Sequence, residues 1–129
     1  MPDRVTFEYA IIRLVPKVER EEFFNIGVIL FSKRKKFLDV IYKVDEDKLK
    51  AFSCELDLEA IAAYLKSWEL ICKGDIKAGA IGEFEISDRF RWLVASRSTI
   101  IQSSKTHSGL TEDPEKELKA IFETFVLMP

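Results

Sequence analysis

The chain has 129 residues, of which 47% are hydrophobic, and its formal net charge is −2. This length suits one domain that buries its own core, and the weakly acidic balance argues against a general nucleic-acid binder, which normally carries a basic excess. Two cysteines and one histidine are too few for the clusters that hold a metal ion. We therefore expect a single domain over residues 1–129 that needs no cofactor.

The apolar runs of the sequence are short. Ala10–Ile12 and Ile26–Phe31 are far below the ~20 residues that a membrane-spanning helix needs. The first residues contain no hydrophobic region of a signal peptide. We expect a soluble cytoplasmic protein without membrane contact, in which Cys54 and Cys72 stay unpaired.

The first third of the chain is typical of three strands. Phe7–Val15 is rich in β-branched and aromatic residues, and Pro16 ends it because proline has no N–H to donate to a neighbouring strand. Ile26–Ser32 and Phe37–Lys43 predict a hairpin with a basic tip, Lys33–Lys36. This tip is either a solvated turn that discourages edge-to-edge pairing or a patch that contacts phosphate.

Two helices follow the hairpin. Asp45 is an N-cap residue that predicts a short helix to about Phe52, and Asp57 caps a longer helix that ends at Gly74. Apolar residues recur in the longer helix at steps of three and four, which predicts one buried face. That face consists of Leu58, Ile61, Ala62, Leu65, Trp68 and Cys72. Cys72 is therefore predicted to lie in the core, with a reactive thiol as the alternative.

The next elements are shorter. Asp75–Phe84 contains two glycines and is predicted to be a loop. Asp88–Ala95 is predicted to be a helix, although the alternation of its apolar residues also permits a strand. Thr99–Ser103 is typical of a fourth strand, and Ser103–Thr111 is predicted to be a polar loop.

A closing helix begins at Asp113–Glu115, where a cap residue, a proline and an acid follow one another. Its apolar residues at i, i+3, i+4 and i+7 predict a face that docks on the sheet; they are Leu118, Ile121, Phe122 and Phe125. Taken together, the elements indicate an α+β fold, with about four mainly antiparallel strands and helices packed mainly on one face.

Two polar stretches adjoin the predicted strands and form the candidate binding surface. Neighbouring strands would bring them together at one end of the sheet. The first stretch contains Arg20, Glu21, Glu22 and Asn25, and the second contains Arg89, Arg91, Trp92, Arg97, Ser98, Thr99, Gln102 and His107. In the plain alternative, Arg20, Arg89 and Arg97 pair with nearby acids, namely Glu21, Glu22, Glu83, Glu85 or Asp88, and merely tie loops together. Asn25 would then satisfy turn backbone, and Gly27 would mark a bulge or close packing of a strand against a helix.

Five runs of the sequence, in order, resemble a bacterial family catalogued as domain of unknown function 3037. The runs are Tyr9–Pro16, Glu19–Phe31, Arg89–Ala95, Arg97–Gln102 and His107–Leu110. The likeness covers nearly the whole chain, although Ser96 stands where the family pattern often has a proline before Arg-Ser-Thr. The family's activity is unknown. The resemblance implies a kinase-like protein as a partner.

Three functions remain open from the sequence. The first is an accessory or regulatory protein-binding module, because arginine and tryptophan are favoured anchors at interfaces. The second is binding of an anion, nucleotide or nucleic-acid phosphate, for which Arg97, Ser98 and Thr99 offer a guanidinium fork and two hydroxyls, with Gln102 and His107 orienting the ligand. The third is a hydrolytic enzyme that uses His107 as general base with Glu21 or Glu22, although no Gly-rich phosphate loop or nucleophile elbow is present. We predict the first function, with the second as the alternative and the third behind it.

Overall fold

A computed structural model describes residues 4–52, 57–97 and 99–128. Five strands form an antiparallel sheet in this part of the chain: β1 (Val5–Leu14), β2 (Phe24–Ser32), β3 (Phe37–Tyr42), β4 (Ile101–Ser103) and β5 (His107–Thr111). Its α-helices are α1 (Glu46–Phe52), α2 (Leu58–Lys73), α3 (Ile86–Val94) and α4 (Pro114–Phe122). Shorter helical turns are the 3-10 segments Val18–Arg20 and Ile76–Glu83 and the π-helical turn Glu123–Leu127.

Strand β1 lies at the centre of the sheet. The order is β3-β2-β1-β4, and β5 also pairs with β1. β4 pairs with the last residues of β1 and β5 with its first residues, so the two short strands follow one another along one edge. Buried Ser104 lies between them, and its hydroxyl accepts the N–H of Ile11 at 2.8 Å and donates to the carbonyl of Lys105 at 2.9 Å. The Ser104 hydroxyl thus both donates and accepts a hydrogen bond, so this buried polar group stays paired although the strand edge is interrupted here.

Helices cover both faces of the sheet, which explains why β1 and β2 are apolar on both sides. Helices α1, α2 and α3 pack on one face, where the largest buried side chains include Ile12, Leu14, Ile29, Leu65, Trp68 and Phe90. Helix α4 packs on the other face, with Phe7, Ile11, Val28, Leu118, Ile121 and Phe122. The predicted α+β class, with an antiparallel sheet and helices mainly on one face, is confirmed.

The predicted helix caps are confirmed. The carboxylate of Asp57 accepts the N–H groups of Glu59 and Ala60, and Gly74 closes α2 in the left-handed conformation at φ 64°. At α4, the carboxylate of Asp113 accepts from Glu115 and Lys116, and Pro114 occupies the first turn. Each cap satisfies backbone groups that a helix end leaves without a partner.

Two predictions about loops are wrong. Ser103–Thr111 is not a polar loop throughout, because His107–Thr111 forms β5 against the first residues of β1. Asp75–Phe84 contains 3-10 turns at Ile76–Glu83, which begin where the Asp75 carboxylate accepts the N–H of Lys77 at 2.9 Å. For the segment around Asp88, the helix is confirmed over the strand, as α3 shows.

The predicted helix faces are partly wrong. Leu58 at the start of α2 is 38% exposed, and Ala62 is also exposed. Phe125 is 47% exposed, although Phe122 is only 8% exposed. Phe125 lies in the π-helical turn, where Met128 donates its N–H to the carbonyl of Glu123 at 3.0 Å. A π turn holds more residues than an α turn, so the i+7 position rotates away from the face of α4.

Cys72 lies in the core, as predicted, with 4% of its surface exposed. Burial raises the pKa of its thiol above the usual range, and this opposes formation of the reactive thiolate. Cys54, the other cysteine, lies outside the described residues.

The contact between Tyr42 and Glu69 predicts a loss of stability at high pH. Tyr42 is the last residue of β3, and its hydroxyl donates to the carboxylate of Glu69 in α2. Burial, followed by this hydrogen bond, raises the pKa of Tyr42 from 10.0 to about 12. The folded state therefore holds a proton that the unfolded state releases, so the stabilisation is complete below pH 10 and is lost as the pH rises towards 12. Urea unfolding between pH 8 and 11.5 is expected to show this loss in the wild type and a flatter profile in Tyr42→Phe.

Tyr64→Phe is the control for that measurement, because within the described part of the chain the tyrosine hydroxyl that bonds to a carboxylate is that of Tyr42 and not that of Tyr64. It is expected to keep the alkaline loss of the wild type. A profile of Tyr42→Phe identical to that of the wild type would show that the hydroxyl does not carry the effect.

Candidate functional site

The two predicted polar stretches approach each other at one end of the sheet. Glu21 of the first stretch and Arg97 and Gln102 of the second line one pocket of about 310 Å³. Arg13, Val15, Phe23 and Ser96 complete the lining. We call this site the Arg13 pocket.

Arg13 enters the pocket from the central strand. It lies opposite Gln102 of β4 and Asn25 of β2. The pairing of β1 with β2 skips Ile26, so β2 carries one extra residue beside Arg13. Such a bulge bends a strand and changes the direction of nearby side chains. The bulge therefore lies where the sheet presents an arginine to the pocket.

The guanidinium group of Arg13 is incompletely satisfied. Its Cζ lies 4.2 Å from the centre of the Phe23 ring, a cation–π contact. Its Nε is buried and has no hydrogen-bond partner among the described residues. Buried donors in folded proteins nearly always have a partner, so this nitrogen calls for an acceptor.

Arg97, the second cation of the pocket, holds the end of α3. Its Nη1 donates to the carbonyl of Leu93 at 3.3 Å, and its Nη2 donates to the carbonyl of Trp92. Its Cζ lies 4.2 Å from the centre of the Trp92 ring. A cation at a helix C-terminus is favourable, so Arg97 has a structural role and still brings positive charge to the pocket.

The polar groups after Arg97 bond mainly to local backbone. The Thr99 hydroxyl donates to the carbonyl of Ile101 at 2.7 Å, and Gln102 Nε2 donates to the carbonyl of Thr99 at 2.8 Å. The hydroxyl proton of Thr99, which was predicted to bind phosphate, is therefore already used within the chain. Gln102 keeps its side-chain oxygen as an acceptor for a ligand. Ser98 lies outside the described residues.

Glu21 has an unusual backbone conformation. Its φ is 57°, in the left-handed region that residues other than glycine seldom adopt. Its exposed carboxylate makes no ion pair or hydrogen bond with the described parts of the chain. The neighbouring Arg20 pairs with Glu22 instead. The lining of the pocket thus contains two guanidinium groups and one carboxylate, and this carboxylate forms no ion pair with the described residues.

Other predicted site residues lie outside the Arg13 pocket. Arg20 and Glu22 form an exposed ion pair beside Pro16 and Lys17. The plain alternative is therefore confirmed for Arg20. An exposed pair of this kind contributes only ~0–1 kcal/mol.

Arg89 connects α3 to backbone carbonyls at the end of α2 and at Phe84, the residue after the 3-10 segment Ile76–Glu83. Its Nη1 donates to Ile71 and Cys72 at 2.8 Å each, and its Nε donates to Phe84 at 3.0 Å. The predicted acidic partners of Arg89 and Arg97 are wrong, because both guanidinium groups bond to carbonyl oxygens in the residues that the structure describes. Arg91 contacts Glu8 of β1 at 2.6 Å, on a separate surface near Lys33 and Arg34 of the hairpin tip.

Asn25 and Gly27 have structural explanations. Asn25 Nδ2 donates to the carbonyl of Phe125 at 3.1 Å and so fixes the π-helical turn to the sheet. A Cβ on Gly27 would lie 2.6 Å from the carbonyl oxygen of Ile41 and 2.9 Å from Cβ of Tyr42. Gly27 therefore permits close packing against β3, and the predicted packing against a helix is wrong. The predicted bulge is confirmed at the neighbouring residue Ile26.

His107 lies apart from the acids with which it was predicted to act. It is exposed on β5, opposite Tyr9, and the two ring centres are 5.3 Å apart. Tyr9 precedes Arg13 by four residues in β1, which is about 13 Å at ~3.3 Å per residue. No contact joins His107 to Glu21 or Glu22 among the described residues. The dyad that hydrolysis would need is therefore not assembled.

Sequence reasoning missed Arg13 and Phe23 as pocket residues. The sequence places Arg13 only within the predicted strand Phe7–Val15, where it interrupts the apolar residues. The signal was present, because an arginine within a strand that is otherwise buried requires a partner or a ligand. Phe23 gave no comparable signal, since its position beside Arg13 depends on the turn after Arg20.

Across residues 4–52, 57–97 and 99–128, no group of three or more histidine, cysteine or acidic residues is arranged to hold a metal ion. Within the same ranges, every helix is too short or too polar to cross a membrane.

The fold and the pocket define a small α+β protein in which an antiparallel sheet presents an arginine-lined cavity at one end. The chain belongs to the family described as protein of unknown function (DUF3037), whose pattern it matches over residues 9–126. This match confirms the resemblance found in the sequence. Comparison with curated proteins gave no match, and comparison with solved structures gave none either.

Proposed function

We propose that this protein is a binding module that takes an anionic group, a carboxylate or a phosphate, in the Arg13 pocket. The observation that carries the proposal is the buried Nε of Arg13 without a partner. Leaving such a donor unsatisfied costs roughly 1–3 kcal/mol, which an oxygen of a bound anion would recover. The planar guanidinium fork suits a carboxylate or a phosphate because both offer two oxygens to it.

The surroundings of Arg13 support an anion more than a cation or an apolar ligand. Arg97 adds a second positive charge to the lining, against the single carboxylate of Glu21. Phe23 covers one side of the Arg13 guanidinium group. The Nε atom of Arg13 is buried, and low exposure to water at this atom strengthens its attraction to an anion.

Two kinds of ligand could supply the anionic group. It is either a free small molecule or an acidic side chain of a protein partner, and the second source makes the protein an accessory or regulatory module. The kinase-like partner that the family resemblance implies belongs to the second source and stays a prediction, as does a cytoplasmic location. Hydrolysis has less support, because His107 lies opposite Tyr9 on β5, whereas Glu21 lies in the turn before β2 and lines the Arg13 pocket.

NMR spectroscopy of the ¹⁵N-labelled protein tests the proposal, with acetate and inorganic phosphate as probes. The Nε–H signal of Arg13 and the amide signals of Phe23 and Gln102 are expected to shift and to saturate as the anion is added. In Arg13→Met, which keeps the apolar stem but removes the charge, the affinity should fall at least about tenfold, equivalent to ~1.4 kcal/mol.

Arg91→Met is the matched control, because Arg91 is an exposed arginine on a separate surface. It should leave the affinity unchanged. Arg97→Ala is a poorer probe, since loss of its bonds to Leu93 and Trp92 would disturb α3. The proposal is contradicted if these signals stay unshifted throughout the titrations with both anions. It is also contradicted if Arg13→Met binds the anion with the affinity of the wild type.

A second arm separates the two sources. A peptide with blocked ends and one central glutamate among alanines is compared with acetate. It offers the same carboxylate group, but as a side chain of a polypeptide. Tighter binding of the peptide by about tenfold would favour a protein partner. Equal or weaker binding would favour a free small molecule, and both results keep the anion site.

A further inference from the structure

We propose that the Arg13 pocket selects a ligand that carries an anionic group together with a positively charged amino group, as a free amino acid does, over a simple anion. This inference rests on the proposed function and adds to it the class of ligand. The observation behind it is that the lining contains acceptors as well as donors.

The donors are on the arginine side of the pocket. The buried Nε of Arg13 has no partner among the described residues, and Arg97 uses only part of its N–H groups on the carbonyls of Leu93 and Trp92. A carboxylate of the ligand is the natural partner for this side.

The acceptors are Glu21 and Gln102. Gln102 Nε2 is held by the carbonyl of Thr99, so its side-chain oxygen is the atom left for a ligand. The carboxylate of Glu21 has no partner in the described ranges, because Arg20, which precedes it, is taken by Glu22. A ligand that brought only negative charge would leave both acceptors unused and would be repelled by Glu21.

The backbone at Glu21 supports a role for this carboxylate. A left-handed conformation at φ 57° is unfavourable for a residue with a side chain. Such positions occur disproportionately at binding sites, where the surrounding structure holds them. Here the conformation lies at the turn between the 3-10 segment Val18–Arg20 and β2, at the rim of the pocket.

The net charge of the lining also limits the ligand. Two guanidinium groups and one carboxylate leave a single positive charge, so the total charge disfavours a phosphate dianion but does not by itself favour an amino acid over a simple carboxylate. That second distinction depends on where the charges of the lining lie. An added ammonium group would then pair with Glu21 while the carboxylate pairs with Arg13. The pocket thereby distinguishes an amino acid from the acid that lacks the amino group.

Three matched pairs of small molecules test the inference, because they vary the distance between the two charges. The pairs are glycine and acetate, β-alanine and propionate, and γ-aminobutyrate and butyrate. For at least one pair, NMR titration at pH 7 should show the amino acid binding at least about threefold more tightly than its partner. In Glu21→Gln this preference should disappear, and the simple carboxylate should bind about threefold more tightly than it binds to the wild type, because the repelling charge is gone.

Glu19→Gln is the control, since Glu19 is an exposed carboxylate two residues before Glu21 that does not line the pocket, and it should keep the preference of the wild type. Equal binding within all three pairs, or a preference that survives in Glu21→Gln, would overturn this inference while the anion site stands. If none of the carboxylates binds and Arg13→Met changes nothing, the proposed function itself is wrong.

Discussion

Replacing Phe122 by alanine is expected to lower the free energy of unfolding by about 3–5 kcal/mol. Phe122 is 8% exposed and lies in the cluster between α4 and the sheet, with Phe7, Ile11 and Val28. Removing its ring deletes a large apolar surface and leaves a cavity, because the strands beneath cannot collapse into the space. Urea unfolding of the wild type and the variant measures the difference.

Phe125→Ala provides a matched control, since the same side chain is removed only three residues further along. Phe125 is 47% exposed in the π-helical turn, so its replacement should cost less than about 1 kcal/mol. Similar losses for both variants would mean that α4 continues as a regular helix and buries both rings. A loss below 1 kcal/mol for Phe122→Ala would contradict its placement in the core.

This pair of phenylalanines shows where sequence periodicity fails. The spacing of Leu118, Ile121, Phe122 and Phe125 fits one face of an α-helix, and three of the four are buried. The fourth is displaced because the hydrogen bonding changes at Glu123. Nothing in the local sequence marks this change, since the Asn25 side chain that holds the turn comes from a strand 100 residues away.

Most of the fold follows from local signals. The apolar runs that became β1 and β2, the caps at Asp57 and Asp113, and the stop at Gly74 all depend on residues within a few positions. Strand β5 carries no such signal, because its residues are mainly polar and exposed. It forms because β1 offers an unpaired edge beyond β4, which is a property of the assembled sheet.

The candidate site was predictable in part. Glu21, Arg97 and Gln102 were selected from the sequence and line the same pocket. The functions of individual arginines were not predictable, because every residue supplies a carbonyl oxygen and a sequence cannot show which of them a guanidinium group will reach. Arg89 and Arg97 donate to such carbonyls, whereas Arg91 forms an ion pair with a carboxylate.

Arg89→Met is therefore expected to lower the free energy of unfolding by roughly 2–4 kcal/mol, whereas Arg91→Met should change it by about 0–1 kcal/mol. Both arginines lie on α3, and methionine keeps much of the apolar stem in each case. Arg89 bonds to the carbonyls of Ile71 and Cys72 at the end of α2 and to that of Phe84 before α3. Its loss leaves the partly buried carbonyls of Ile71 and Cys72 without a charged donor.

Ionic strength separates the two roles further. The ion pair of Arg91 with Glu8 is exposed on the arginine side, where the side chain is 53% accessible, so salt should remove most of its small contribution. The bonds of Arg89 run to neutral carbonyls and should persist, so the difference between the two variants should remain in urea melts at 1 M NaCl. If Arg89→Met were as stable as Arg91→Met, its guanidinium group would not be holding α2 to α3, and its surface would again be a candidate for binding a partner. A large loss in Arg89→Met with intact anion binding at the Arg13 pocket would place Arg89 in the framework of the fold and leave recognition to Arg13.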